Sequence, residues 1–121
     1  MNSLVTGGAG FIGSHLCERL IAEGDSVTVI DDLSTGLLRN LTNVRDNPGF
    51  RFFDGSVTDR ELVGKCVAES DRIFHFAAAV GVKLIIQNPL HALLVNTVGA
   101  ETVLACASEH GKKVFIASSS E

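Results

Sequence analysis

The chain has 121 residues, 45% of them hydrophobic, and a formal charge of −4. That length buries one ordinary core and not two, so a single α/β unit is expected. Acidity without any basic run argues against nucleic acid or an acidic membrane surface as the main partner. The absence of a charged leader, and of an apolar run long enough to span a bilayer, points to a cytoplasmic protein.

In chain order, Asn2 to Thr6 reads as a buried strand, and Phe11 to Glu23 as a helix with apolar residues at Ile12, Leu16 and Leu20 and a C-terminal stop at Gly24. Between them lies Thr6-Gly7-Gly8-Ala9-Gly10-Phe11-Ile12-Gly13. Gly7 lets the chain turn where a Cβ would obstruct it, Gly10 lets backbone approach a pyrophosphate, and Gly13 lets the helix pack close to the sheet. Phosphates held this way sit at the helix N-terminus, where unpaired N–H groups and the helix dipole favour an anion.

A second strand, Ser26 to Ile30, ends in Asp31-Asp32, roughly 20 residues beyond the glycines. There a carboxylate can accept both ribose hydroxyls of an adenosine, and its charge would repel a 2′-phosphate. Asp31 is the residue chosen, and NAD the cofactor it favours over NADP; the alternative is that Asp31 and Asp32 only cap the following turn. Phe50 to Phe53 is a third strand after the turn Asn47-Pro48-Gly49, and Thr58 to Ala68 a helix capped by Thr58 or Asp59. The fourth strand is Arg72 to Phe76. A small-residue turn leads to a helix from near Pro89 to His110, ended by Gly111, and Lys113 to Ser118 is the fifth strand. Alternating strands and helices imply a doubly wound parallel sheet of order 3-2-1-4-5, a Rossmann fold, ending after the fifth strand, with ligands at the carboxyl ends of strands one and four.

Cys17, Cys66 and Cys106 each fall in a predicted helix and read as reduced, half-buried core residues. The histidines at 15, 75, 91 and 110 are too dispersed for a metal site, so none is expected.

The glycine segment at 6 to 13, together with Asp31-Asp32-Leu33-Ser34-Thr35-Gly36, His75-Phe76-Ala77-Ala78, Asn96-Thr97-Val98-Gly99 and Ser118-Ser119-Ser120-Glu121, resembles the extended short-chain dehydrogenase/reductases. Within them it looks like the NAD-dependent epimerase/dehydratase group acting on nucleotide sugars. The resemblance runs over the whole chain. It implies tightly held NAD, oxidation of a sugar hydroxyl to a 4-keto intermediate, a second step on that intermediate, and return of the hydride.

Carried onto matching positions, the resemblance puts Gly7, Gly10, Phe11, Ile12 and Gly13 around the pyrophosphate. Asp31, Asp32, Ser34 and Gly36 would surround the adenosine ribose, Val57 would flank the adenine, Phe76, Ala77 and Ala78 would line the cofactor's middle, and Asn96 would lie on the long helix's face toward the site. Ser119 aligns with the hydroxyl that orients the sugar's 4-OH. Ser120 and Glu121 adjoin it: Glu121 fits some dehydratases and decarboxylases, while Ser120 stands where certain dehydratases carry an Asp. Lys83 is a candidate for a substrate diphosphate, or simply a solvated charge.

Two departures stand out. Gly55-Ser56-Val57 replaces the Gly-Asp-Ile that catches the adenine amino group in many relatives. The family's acid/base is a Tyr with a Lys four residues later, and these 121 residues contain no Tyr. The chain is therefore read as the NAD-binding part, residues 1–121, of a nucleotide-sugar epimerase, dehydratase or decarboxylase, without the substrate domain and inactive by itself. The alternative is a complete noncatalytic dinucleotide-binding or assembly module. Under-covered Val114, Phe115 and Ile116 would promote self-association.

Overall fold

The computed structural model describes residues 1–77 and 86–116. Five parallel strands, β1 (Asn2–Thr6), β2 (Ser26–Asp31), β3 (Phe50–Asp54), β4 (Arg72–His75) and β5 (Lys113–Ile116), form one sheet in the order β3-β2-β1-β4-β5. This is the order expected from the alternation of strands and helices. Asn2 to Thr6 pairs with Ser26 to Ile30 on one side, and Ser3 to Thr6 pairs with Arg72 to His75 on the other.

Side chains alternate between the two faces of each strand, and two cores result. Leu4, Ile30 and Ile73 enter one, beneath helix α2 (Arg60–Ala68) and the long helix α3 (Pro89–His110), which contribute Val63, Val67, Val95, Val103 and Cys106. Val5, Val27 and Val29 enter the other, under helix α1 (Phe11–Ala22) and a 3₁₀ turn at Leu38–Leu41, with Cys17, Leu20, Leu41 and Val44. The strands are apolar on both faces because both faces are covered.

Helix ends follow their sequences. Gly24, at φ +94°, ends α1: its N–H donates to the Ile21 carbonyl and that of Asp25 to the Leu20 carbonyl. This crossed pair satisfies carbonyls that the helix leaves open and requires a residue tolerant of positive φ. Gly111 repeats the arrangement at the end of α3, at φ +65°. Asp59 caps α2 by accepting the Leu62 N–H at 3.2 Å, so the helix starts two residues later than Thr58.

Several expectations are corrected. All three cysteines are free and fully buried rather than half-buried, and burial pushes the Cys17 thiol up to about 12. The 22 residues of α3 are long and apolar enough to cross a bilayer by length and composition, contrary to the reading of the sequence. The helix nevertheless packs one face, Ala92, Val95, Val103, Cys106 and Ala107, into the core. Within it, Leu94–Gly99 is wound as a π-turn, which no periodicity announced. β4 ends at His75 rather than Phe76, and β5 is described to Ile116.

Candidate functional site

The carboxyl ends of β1, β2 and β4 meet where the sheet order reverses, and the glycine turn fills that place. Gly7 is at φ +73°, and a Cβ on it would stand 2.7 Å from the Ala77 nitrogen and the Phe76 carbonyl carbon. Its N–H donates to the Ile30 carbonyl at 2.8 Å. The turn is thus wedged between the ends of β2 and β4. Gly13 is equally constrained, since a Cβ there would lie 2.4 Å from the Gly7 oxygen.

Gly10 differs. A Cβ on Gly10 would meet nothing closer than the Gly7 oxygen at 3.4 Å, and the rest of its surroundings are open. It is the residue before α1, supplies no side-chain cap, and no acidic side chain occupies the first turn. The first N–H groups of the helix are left to an external acceptor. Phe11 and Ile12, 76% and 66% exposed, flank the opening. A cradle that a Cβ would close, with uncapped N–H groups and no competing carboxylate in the turn, fits a dinucleotide pyrophosphate.

Asp31, 7% exposed, takes the Ala9 N–H on Oδ2 at 2.9 Å and the Leu33 N–H on Oδ1 at 2.7 Å. Asp32 accepts the Ser34 N–H at 3.0 Å. Both aspartates therefore do cap the following turn, in which Leu33 adopts φ +62°. The bond from Asp31 to Ala9 goes further, because it fixes the carboxylate against the glycine turn, where each oxygen keeps a lone pair for a ribose hydroxyl. Gly36 lies against Ala9: a Cβ there would come within 2.8 Å of the Ala9 carbonyl carbon.

Gly7, Gly10, Gly13, Asp31, Gly36, Phe76 and Ala77 are thus brought around one turn, with Asp32 and Ser34 exposed at its edge. Val57, expected to flank the adenine, has its side chain turned into the core. It is 4% exposed and packed in the core, where a Cβ on Gly99 would be 2.5 Å from its Cγ2, so only its backbone is left to meet a base. The Ser56 hydroxyl bonds the Thr58 hydroxyl and accepts the Thr58 N–H, which leaves it a poor substitute for the absent aspartate. Asn96 is exposed on the π-turn of α3, between buried Val95 and Gly99. Ala78, Lys83, Ser119, Ser120 and Glu121 lie outside the described residues.

Thr6 and His75 fall within the motifs read from the sequence, but no role was read for either. The Thr6 hydroxyl accepts the Phe76 and Ala77 N–H groups, each at 3.1 Å, and lies 2.7 Å from His75 Nδ1. The Phe76 N–H is shared with the Thr6 carbonyl at 3.0 Å, and the two N–H groups aimed at the hydroxyl favour its donating to Nδ1 of a neutral ring that carries its hydrogen on Nε2. Burial pushes the His75 pKa down in the same direction. The pairing spans 69 residues, and only the sheet register could have announced it.

The family model described as GDP-mannose 4,6 dehydratase matches residues 4–121. The chain belongs to this family. Among the family's curated relatives, dTDP-glucose 4,6-dehydratase of Mycobacterium tuberculosis (strain CDC 1551 / Oshkosh) is 40% identical over 124 residues, covering 100% of this chain and 37% of that protein. UDP-glucuronic acid decarboxylase 1 of Danio rerio is 35% identical over 118 residues, covering 98% and 27%. The crystal structure of the Thermus thermophilus UDP-glucose 4-epimerase in complex with NAD superposes with a TM-score of 0.79 at 38% identity, covering 95% of this chain and 37% of that one. The chain spans well under half the length of these proteins, and each of the three activities occurs among them.

Proposed function

We propose that this chain is the NAD-binding part of a nucleotide-sugar enzyme that works through a 4-keto sugar, as a UDP-sugar 4-epimerase or as a dehydratase or decarboxylase. The observation that carries the reading is the Asp31 carboxylate, held by two backbone N–H groups beside an uncapped, glycine-lined helix start. That arrangement supports a dinucleotide with an unphosphorylated ribose. The NAD held by the Thermus epimerase supports the same choice of cofactor.

Bound NAD would take a hydride from the sugar and later return it. The chain's own part is to bind and orient. Over Gly7 and Gly10, the Phe11, Ile12 and Gly13 N–H groups would meet the pyrophosphate, Asp31 would hold the ribose hydroxyls with Asp32, Ser34 and Gly36 beside it, and Phe76, Ala77 and Ala78 would line the middle of the cofactor. By the family resemblance, Ser119 would orient the sugar hydroxyl, with Ser120, Glu121 and Asn96 near it. A nucleotide sugar is then the partner in the whole enzyme, working in the cytoplasm without nucleic acid.

Calorimetric titration with NAD and NADP tests the cofactor. NAD should bind at least about tenfold more tightly, because the Asp31 charge opposes a 2′-phosphate, and Asp31→Asn should narrow that difference. Equal affinities in the unsubstituted protein would overturn the assignment.

A further inference from the structure

Asn40 lies in the 3₁₀ turn at Leu38–Leu41, outside every motif considered so far. Its Nδ2 donates to the Ala9 carbonyl at 2.8 Å, across 31 residues of sequence. The Leu37 N–H donates to the same oxygen at 3.0 Å. Ala9 is fully buried, and its own N–H is the one that Asp31 accepts. Both polar backbone groups of the residue before Gly10 are therefore held, the N–H by Asp31 at the end of β2 and the carbonyl by the segment that follows it.

The Ala9 carbonyl and the Gly10 N–H belong to one peptide plane, so fixing the oxygen fixes the N–H. That N–H closes the turn by donating to the Gly7 carbonyl at 3.1 Å. Its orientation in turn sets where the Phe11, Ile12 and Gly13 N–H groups point. Leu37 alone would leave the plane one donor; Asn40 supplies a second from a different direction in the loop.

We propose that Asn40 is a positioning residue for the dinucleotide: by holding the Ala9–Gly10 peptide it aims the start of α1 at the pyrophosphate and ties that turn to the ribose-binding loop. The proposal rests on the NAD-binding reading above. It gives the end of β2 and the loop after it two tasks, contacting the ribose through Asp31 and setting the phosphate cradle through Asn40. A plain stability role would weaken the fold without distinguishing ligands that carry phosphate from those that do not.

Asn40→Asp is nearly isosteric and removes the donor, and Asn40→Ala removes the side chain. Each is titrated with NAD, ADP-ribose and adenosine, and backbone hydrogen exchange is measured at residues 10–13 without ligand. The expected result is a loss of about tenfold for NAD and ADP-ribose, adenosine affinity unchanged, and faster exchange at residues 10–13 in both variants. Affinities within about twofold of the unsubstituted protein, or an equal loss for all three ligands, would overturn the proposal. If the unsubstituted protein binds no NAD, the cofactor reading fails by itself. Exchange at residues 10–13 then still decides whether Asn40 orders the turn, and unchanged rates would refute that role. Should Asn40→Ala not fold, Asn40→Asp carries the test.

Discussion

At the scale of single residues, the glycines of the turn divide into those the fold requires and one the ligand requires. Gly13→Ala would push a methyl to within 2.4 Å of the Gly7 oxygen, and it should destabilise the protein by about 1–3 kcal/mol in urea denaturation. Gly10→Ala meets only an ordinary contact at 3.4 Å, so the melting temperature should barely move. NAD affinity should nevertheless fall, since the methyl occupies the approach to the helix start. A large stability loss in Gly10→Ala would show that the space over it is not open. Two other residues set the response to acid. His75 has a pKa lowered by burial below its ordinary 6.5. The unfolded chain then binds the proton more readily, so this contribution is complete above pH 6.5 and is lost as the pH falls through the folded value. For Asp25, burial works against the charge, but hydrogen bonds from Arg72 at 2.6 Å and Ser3 at 3.2 Å, with the nearby Arg72 and N-terminal charges, hold the carboxyl below 3.8. That contribution is present above pH 3.8 and disappears as the pH drops through the folded value. Stability measured against pH should therefore decline in two stages, and His75→Gln should flatten only the first.

At the scale of elements, the strands and their order could be read from the sequence because burial on both faces makes each strand a short apolar run between turn residues, and alternation with helices leaves few topologies. The glycine turn and Asp31 could be read because their chemistry is local. The contacts of Asn40, Thr6 and His75 could not, since each reaches across tens of residues to a partner that only the folded chain brings near. The π-turn of α3 escaped for another reason: an extra residue in one helical turn leaves the surrounding apolar pattern almost intact. Its packing is specific all the same. Gly99→Ala would force a methyl to within 2.5 Å of Val57 Cγ2 and should cost about 1–3 kcal/mol. Val57→Ala alone should also destabilise, by leaving a cavity in the core. Combined, they should cost less than the sum of the two, because the new methyl enters the space that Val57 vacates. A strictly additive double variant in chemical denaturation would show that the two elements do not meet as described.

At the scale of the whole molecule, the five-stranded sheet is well covered at its centre and less so along β5. Phe115 and Ile116 are 44% and 49% exposed on opposite faces of that strand, while Val114 packs against the core. Phe115 is partly sheltered by stacking on Phe74 at 5.0 Å. These side chains, on a terminal strand of the described sheet, should make the 121-residue chain associate, with an average mass in light scattering that rises with concentration. Phe115→Ser with Ile116→Thr should suppress the rise; a concentration-independent monomer in the unsubstituted chain would remove the basis for this expectation. The wedge of Gly7 between the ends of β2 and β4 carries a consequence of a kinetic kind. β1, β2 and β3 join near neighbours in sequence, but β4 reaches β1 across about 70 residues, and such distant pairings close slowly. Until they close, the backbone of Phe76 and Ala77 is not there to back the glycine turn. In a refolding chain, competence to capture the dinucleotide should therefore emerge with the slowest step, so that a fluorescent nucleotide added during refolding times the closure of the sheet itself.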